Sequence, residues 1–328
     1  PAGEKIDMEQ VLMHMGRRAP GKDKTATPRL EKDLPQILSG MLNDTTTGTP
    51  MCAVIENTNT RSGDYGNLLT APRPGHGDYP GFIRYNGFND IRGGGHFSGR
   101  LTAPIVFAGS VCRQILEKKG IKIASHIQSV GKVCDSRFNP LKIDEGLIDS
   151  LNKQSFPVID PSSEPKMREY IENARMSQDS TGGVIECAAT GVPAGIGSPM
   201  FGGVENLISS IMFGIPAVKG IEFGAGFAIT EMLGSQANDQ YAYDENGRVV
   251  TLSNNNGGIT GGITNGMPIL FRIAVKPTPS ISKPQQTVDL TKHENTELVI
   301  HGRHDPCIVP RATVVAESAL AIALINLL

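Results

Sequence analysis

Apolar residues recur at helical spacing in several parts of this 328-residue chain. One set follows Asp7, which with Gln10 three residues later resembles a capping box, so a first helix is predicted that ends at GRRAPG. A second set, at 105–116, lies on one helical face. It predicts a helix that starts after Pro104 and is closed by Gly120.

Three more segments have helical patterns, and two others are rich in loop-forming residues. Helices are predicted at 164–176 and 204–213, and the apolar stretch 312–328 predicts a helix buried in the core rather than a membrane span. Residues 17–29 predict an exposed basic loop. Residues 61–100, where Gly, Pro, Asp and Asn recur, predict a long functional loop that is neither helical nor sheet-like.

Period-two patterns predict strands between these helices. The predicted strands are 36–44, 50–57, 121–127, 184–190, 249–252 and 268–275. Helices and strands mix without a regular strand-helix-strand order, which favours the α+β class over a doubly wound sheet. Because no change in composition marks a linker, we expect one domain over residues 1–328.

Composition and charge narrow the possible partners. The net charge is −2, Trp is absent and no long basic run occurs, so neither duplex nor single-stranded nucleic acid is an expected partner. Five cysteines form no CxxC pair and no disulfide-like cluster, a pattern typical of reduced thiols. We therefore predict a cytoplasmic protein that does not act at a membrane.

Four glycine-rich polar stretches could carry chemistry: RPGHGDYPG at 73–81, RGGGHFSGR at 92–100, NNNGGITGGITNG at 254–266 and HGRHDPCIVPRA at 301–312. Glycine runs allow backbone amides to converge on an anion, although tight turns explain each stretch alone. Basic residues lie in or beside these and other loops, and if the loops converge they form an anion site. These residues are Arg17, Arg18, Lys22, Lys24, Arg73, Arg92, Arg100, Arg303 and Arg311.

Histidines add a candidate for proton transfer and a weaker candidate for metal binding. His76 lies between two turns, where imidazole chemistry near neutral pH is typical of a proton shuttle. His301, His304 and Asp305 resemble a metal-ligand set, but their spacing matches no standard zinc pattern. We expect no metal, and a metal hydrolase remains an alternative at this stage.

Taken in order along the chain, nine motifs resemble the chorismate synthase family. They are RSGDYGN, RPGHGDYPG, RGGGHFSGRLTAP, GVPAGIGSP, PAVKGIEFGAGF, GSQAND, NNNGGITGGITNG, VKPTPSI and GRHDPC. The resemblance implies a carbon-oxygen lyase that eliminates phosphate from 5-enolpyruvylshikimate 3-phosphate in a 1,4-anti reaction, giving chorismate for aromatic amino acid biosynthesis. It also implies a requirement for reduced FMN. Because the sequence contains no separate dinucleotide fingerprint, we expect NADPH to act only indirectly or through a flavin reductase. The implied fold is a β-α-β sandwich, with helices between antiparallel sheets, assembled as a homotetramer from two dimers.

The resemblance also assigns roles to residues of this sequence. By resemblance, His76 protonates reduced flavin near N1, Asp305 assists the proton at flavin N5, and Ser98 completes the catalytic set. The implied substrate contacts are Arg18, Lys24, Arg73 and Arg100. The implied flavin contacts are His96, Phe97, Ser98, Pro216, Ala217, Gly261, Lys276, Pro277, Thr278, Pro279, Ser280 and Arg303.

The sequence departs from the family pattern at three places. Lys24 and His96 stand where many relatives have arginine. Family members begin with a strand and a Gly-Glu-Ser-His segment whose histidine is thought to protonate the departing phosphate, and this sequence starts after that point. We expect such a chain to turn over little, because a positioned acid contributes about 10² to 10⁴ in rate. An alternative is a non-catalytic flavin- or anion-binding protein, derived from the enzyme by N-terminal loss.

Overall fold

A computed structural model of the chain describes residues 1–21, 32–57, 68, 70–300 and 305–328. Among these residues the α-helices, numbered in chain order, are α1 (Met8–Arg18), α2 (Asp78–Arg84), α3 (Thr102–Glu117), α4 (Glu145–Lys153), α5 (Ser163–Met176), α6 (Val204–Phe213), α7 (Gly234–Ala237) and α8 (Val309–Leu327). Short 3-10 turns cover Arg92–Phe97, Gly99–Leu101, Met200–Gly202 and Gly226–Glu231.

The described strands are also numbered in chain order. They are β1 (Ala2–Lys5), β2 (Pro35–Ser39), β3 (Met41–Leu42), β4 (Thr45–Thr47), β5 (Cys52–Ile55), β6 (Lys122–Val130), β7 (Val133–Cys134), β8 (Gly183–Thr190), β9 (Val218–Phe223), β10 (Tyr241–Tyr243), β11 (Val249–Thr251), β12 (Ile259–Thr260), β13 (Ile263–Thr264), β14 (Ile269–Val275), β15 (Gln285–Asp289) and β16 (Glu294–Leu298).

One antiparallel sheet of five strands, in the order β7-β6-β8-β14-β9, organises the core. In its centre Ile127 lies opposite Ile185, and Ile273 lies between Ile185 and Ile221. Both faces of this sheet are covered, one by the main apolar cluster and the other by a smaller cluster around Phe138. This double burial explains why β6 is almost wholly buried, whereas the sequence pattern predicted alternation.

Helices cover one face of the large sheet. α8 packs against α3, α6, β6 and β8, and α1 packs against α3 and α8. On the far side of the helices are small sheets, β2-β5 and β1-β4-β3, whose Met41 and Ala53 pack against the same core. A helical layer between antiparallel sheets agrees with the α+β class and with the expected sandwich.

Most of the predicted helices are present. α6 has the predicted bounds, α5 begins one residue before them, and the Oδ1 atom of Asp7 accepts hydrogen bonds from the amides of Glu9 and Gln10 at the start of α1. α8 is long and apolar enough to cross a membrane by length and composition, but 67% of that stretch is buried in the fold. This burial confirms the predicted core helix.

Two predictions about the loops are wrong. The segment 61–100 contains α2 as well as a 3-10 turn, although residues 58–67 and 69 lie outside the described part. Arg17 and Arg18 form the last turn of α1 and are each only 4% exposed, because both enter hydrogen-bonded ion pairs inside the fold. The rest of the predicted basic loop, from residue 22 onward, lies outside the described residues.

Candidate active site

A cavity of about 430 Å³ lies where the 73–78 loop, the 92–101 turns, the segment after β14 and the first turns of α8 meet. Along the chain these segments adjoin α2, α3, β14 and α8. The described lining residues are Arg18, Pro20, Asn57, Arg73, Gly75, His76, Gly93, Gly94, Phe97, Ser98, Gly99, Arg100, Thr102, Ile215, Pro216, Ala217, Lys276, Thr278, Pro279, Ser280, Asp305, Ile308, Arg311, Ala312 and Val315.

Three consecutive glycines shape one wall of this cavity. Gly93, Gly94 and Gly95 have φ angles of 63°, 84° and 52°, in the left-handed region that favours glycine. A Cβ at Gly95 would lie 2.3 Å from the carbonyl oxygen of Asp90, so a side chain cannot be placed there. The tight path ends at Ser98, whose Oγ accepts from the amide of Arg100 before α3 begins.

The cavity lining carries more cationic than anionic side chains. Among the described lining residues five carry a positive charge and one carries a negative charge: Arg18, Arg73, Arg100, Lys276 and Arg311 against Asp305. Such a surface attracts a ligand with several anionic groups. This excess contrasts with the net charge of −2 for the whole chain.

Fixed partners orient the arginines around this cavity. The Nε atom of Arg18 donates to Thr102 Oγ1 at 3.1 Å, and Arg18 also pairs with Asp33. The Nε atom of Arg100 donates to Ser98 Oγ at 3.1 Å. Each guanidinium is therefore held before any ligand arrives, which lowers the conformational entropy lost on binding.

Arg311 lies at the base of α8 and connects two candidate residues. Its Nε donates to the carbonyl oxygen of Arg18 at 2.8 Å, and its Nη1 donates to Asp305 Oδ2 at 2.8 Å. Arg311 thereby joins the end of α1 to the start of α8 on the same side of the cavity.

His76 contacts a buried ion pair at the mouth of α2. Its Nδ1 atom lies 2.7 Å from Oδ1 of Asp78 and 3.1 Å from Nη2 of Arg73. Burial alone would raise the pKa of Asp78, but the hydrogen bonds from Arg73 and His76 and the charge of Arg73 hold that pKa well below its usual range. Asp78 is consequently a carboxylate over the whole physiological range.

Apolar surface and a free polar group complete the cavity. Ile215, Pro216 and Val315 provide apolar surface, and the neighbouring Ala217 has a φ of 75°, rare for a residue with a side chain. Nearby, Thr278 Oγ1 is buried and has no hydrogen-bond partner among the described residues. Strained backbone and an unsatisfied buried hydroxyl are typical of ligand sites.

Comparison with known proteins decides the family. The family model described as chorismate synthase matches residues 1–328. The chorismate synthase of Pyrococcus abyssi is 46% identical over 324 residues, covering 99% of this chain and 88% of the relative. The chorismate synthase of Thermococcus kodakarensis is 45% identical over 321 residues, covering 98% of this chain and 88% of the relative. A crystal structure titled as chorismate synthase superposes with a TM-score of 0.75 at 28% identity, covering 100% of this chain and 84% of that chain.

The chain belongs to the chorismate synthase family. The family name identifies a lyase, and the solved structure agrees with the α+β fold described above.

Most of the residues assigned by resemblance to chorismate synthases line the cavity together. The structure brings together Arg18, Arg73, His76, Phe97, Ser98, Arg100, Pro216, Ala217, Lys276, Thr278, Pro279, Ser280 and Asp305. It does not bring His96, Pro277 or Gly261 into the lining, and all three are exposed. Gly261 lies in the turn between β12 and β13. Lys24 and Arg303 lie outside the described residues.

Several other candidate residues from the sequence lie away from the cavity or outside the described residues. Arg92 points to solvent and pairs with exposed Asp90, and Arg17 pairs with Glu317 inside the core, so neither joins the cavity. His301 and His304 of the metal hypothesis lie outside the described residues. Elsewhere in the described chain no group of three His, Cys, Asp or Glu side chains could hold a metal ion.

Asp78 was not selected from the sequence as a site residue, and Arg311 was named only among the basic loop residues. Asp78 lies two residues after His76 in the GHGD motif, where its carboxylate could have suggested a partner for the imidazole. Arg311 was counted only as one loop arginine, but it lies in the first turn of α8 beside Asp305. Its place depends on how α8 packs against α1, which the local sequence does not specify.

Proposed function

We propose that this protein converts 5-enolpyruvylshikimate 3-phosphate into chorismate by 1,4-anti elimination of phosphate, with reduced FMN bound beside the substrate. The observation that carries the proposal is the convergence of five cationic side chains and one carboxylate on a cavity that also has apolar walls. The substrate has a phosphate and two carboxylates, and FMN adds another phosphate. A cavity of this charge suits both molecules.

The donors and surfaces of the cavity fit a flavin. Pro216, Ala217 and Val315 offer apolar contact for an isoalloxazine ring. The buried Thr278 Oγ1, which has no hydrogen-bond partner among the described residues, can bond a polar group of the ligand. Lys276 and Ser280 add further donors beside Thr278. When bound, reduced FMN supplies the electron density that assists the departure of phosphate.

The side chains of the protein bind, orient and balance charge. We assign the substrate anions to Arg18 and Arg100, with Arg311 as a third guanidinium on the same side. His76 handles a proton at Nε2, and Asp305, held by Arg311, is the second proton-handling group. Ser98 orients Arg100 through its Oγ. The roles of Lys24, Arg303, His96, Pro277 and Gly261 stay predictions.

We also propose a homotetramer acting in the cytoplasm, with NADPH used only through a flavin reductase. Large apolar side chains with 80% or more of their surface exposed, Phe88 (93%), Phe201 (88%) and Phe227 (81%), support association between copies. The five cysteines are all free, as expected in a reducing compartment. Light scattering of the purified protein tests the assembly, and a monomer at micromolar concentration would contradict it.

Two arginines of one segment test the substrate assignment. Arg100 lines the cavity and Arg92 pairs with Asp90 in solvent, so Arg100→Met and Arg92→Met remove the same charge at different places. Loss of a charge-assisted hydrogen bond predicts that the KM of Arg100→Met for the substrate rises about 10- to 100-fold. The KM of Arg92→Met for the substrate should stay within about twofold of the parent value. Equal KM values in the two variants would contradict the assignment.

A further inference from the structure

Asp78 lies behind His76 and is buried at the first position of α2. Its two carboxylate oxygens share three donors: Oδ2 accepts from the amide and the Nε of Arg73 at 3.1 and 2.7 Å, and Oδ1 accepts from Arg73 Nη2 at 2.9 Å. Oδ1 also lies 2.7 Å from Nδ1 of His76. Asp78 is absent from the cavity lining, so it acts on a ligand only through its neighbours.

Two groups compete for a hydrogen bond with the Nδ1 atom of His76: the carboxylate of Asp78 and the guanidinium of Arg73. Nδ1 can donate to Asp78 or accept from Arg73 Nη2 at 3.1 Å, but a neutral imidazole cannot do both at Nδ1. A carboxylate only accepts and a guanidinium only donates. The two arrangements place the imidazole proton on opposite nitrogens, so the choice decides which form of His76 faces the cavity.

The contact geometry favours donation to Asp78. The Asp78 contact is the shorter, and Arg73 Nη2 already has Asp78 Oδ1 as an acceptor. An unprotonated Nδ1 would instead turn its lone pair toward a carboxylate oxygen at 2.7 Å, which is repulsive. These contacts favour the tautomer of neutral His76 that carries its proton on Nδ1.

We propose that Asp78 is a positioning residue, which holds neutral His76 with its proton on Nδ1 so that the lone pair of Nε2 faces the cavity. The proposal rests on the proposed function, in which His76 handles a proton at that atom: as a base, Nε2 takes up the proton that the ring then delivers. His76 and Gly94 both line the cavity, and a Cβ at Gly94 would lie 3.5 Å from Nε2, in van der Waals contact with the ring. Phe97 packs edge-on against the ring, with the ring centroids 6.2 Å apart, and limits its rotation.

Arg73 has a different role in this arrangement from the one that the resemblance implied. Its Nε and Nη2 are bonded to Asp78 and its Nη1 donates to Ser280 Oγ at 3.2 Å. The guanidinium thus fixes the carboxylate that fixes His76, and it links the 73–78 loop to the segment after β14. Its charge contributes to the field of the cavity, while most of its hydrogen-bond donors are already used.

The experiment measures the protonation of each ring nitrogen by nitrogen-15 NMR. Magic-angle-spinning spectra of ¹⁵N-histidine-labelled protein are recorded at about pH 9, where imidazole is neutral in ordinary surroundings. The His76 signals are assigned by their loss in His76→Gln. In the parent protein we expect a protonated Nδ1 and an unprotonated Nε2. A parent protein with the proton on Nε2 overturns the proposal without the need for any variant of Asp78.

Two variants at the ion pair give opposite expectations. In Asp78→Ala, Arg73 Nη2 is free to donate to Nδ1, so the proton should move to Nε2. In Arg73→Met, Asp78 still accepts from Nδ1 and the tautomer should be unchanged. Asp90→Asn, which removes an exposed carboxylate paired with Arg92, is the matched control and should leave the His76 signals as in the parent. An unchanged tautomer in folded Asp78→Ala would refute the proposal.

Turnover separates this proposal from the proposed function. With reduced FMN and substrate, Asp78→Ala should lower kcat about 100-fold or more, with little change in the substrate KM, because the base is present in the wrong tautomer. Full turnover by His76→Gln would contradict the role of His76 and leave the tautomer result standing. A kcat of Asp78→Ala equal to that of Asp90→Asn would overturn the positioning role while His76 could still be catalytic.

Discussion

A buried ion-pair network beneath the cavity offers a direct test of how the site is held. Glu317 on α8 is fully buried and accepts from Arg17 at 2.6 and 2.9 Å and from Arg113 Nη1 at 2.7 Å. Ser125 Oγ donates to it at 2.8 Å. The network ties α1, α3 and β6 to α8. Because Arg18 follows Arg17 and the cavity reaches α8, Glu317 supports both sides of the site. The perturbation is Glu317→Gln, which keeps the size of the side chain and removes its charge.

Two independent estimates give the size of the effect. Removing one member of a buried ion pair costs about 3–5 kcal/mol, since the partner charge is left uncompensated. Burial alone would raise the pKa of Glu317, but the charges and hydrogen bonds of Arg17 and Arg113 lower it from 4.5 to about 2. A shift of that size corresponds to about 3 kcal/mol. We therefore expect Glu317→Gln to lose about 3 kcal/mol of unfolding free energy at pH 7.

The pH dependence follows from the direction of the shift. A carboxyl whose pKa is lowered by folding stabilises the protein above its unfolded value and loses that contribution as the pH falls toward about 2. The parent and Glu317→Gln should differ in unfolding free energy by a constant amount between pH 5 and 7. At about pH 3.5 this difference in unfolding free energy should be smaller by roughly 1 kcal/mol.

Urea denaturation followed by circular dichroism measures both quantities. The control is Glu172→Gln, which removes an exposed carboxylate paired with Arg175 on α5 and should cost at most about 1 kcal/mol. If Glu317→Gln were no less stable than Glu172→Gln at pH 7, or if the difference did not narrow in acid, the reasoning about this network would be refuted.

Three further changes test the cavity itself. Thr278→Val should weaken FMN binding about 2- to 10-fold in a fluorescence titration, because it removes the free buried hydroxyl; unchanged affinity would show that the hydroxyl does not meet the ligand. Gly94→Ala places a side chain at a φ of 84° beside His76 and should cost about 1 kcal/mol in thermal unfolding and lower kcat; a neutral result in both would contradict the requirement for glycine at this φ. Ala217→Gly should keep or raise the melting temperature, because Ala217 has a φ of 75°, whereas Ala108→Gly on the exposed face of α3 should lose about 1 kcal/mol; equal losses would contradict the strain at Ala217.

The sequence predicted the parts of the fold that follow from local pattern. α5, α6 and α8 have apolar stripes or runs that fix their place almost without reference to the rest of the chain. By contrast, α2 has only 7 residues and contains Gly81, which disfavours a helix by local propensity. Phe97 packs against α2 so closely that a Cβ at Gly81 would lie 2.6 Å from that ring. Such a contact between distant segments has no local signal.

The site shows the same division. The glycine run at 93–95 and the basic residues indicated an anion site, and the family resemblance assigned Pro216 and Ala217, which no spacing indicated. The sequence could not separate Arg17, used inside the core, from its neighbour Arg18, used in the cavity. A difference of one residue turns a side chain by about 100° around a helix, so packing decides which arginine is buried in the core and which faces the ligand.

The central claim is that the cationic cavity eliminates phosphate from 5-enolpyruvylshikimate 3-phosphate with the help of reduced flavin. The most direct measurement is anaerobic phosphate release by the purified protein with photoreduced FMN, compared with oxidised FMN and with His76→Ala and Asp305→Ala. The account predicts release that requires reduced FMN and falls about 10²- to 10⁴-fold in each variant. Release at equal rates in all three proteins, or release that does not depend on the reduction of FMN, would contradict it.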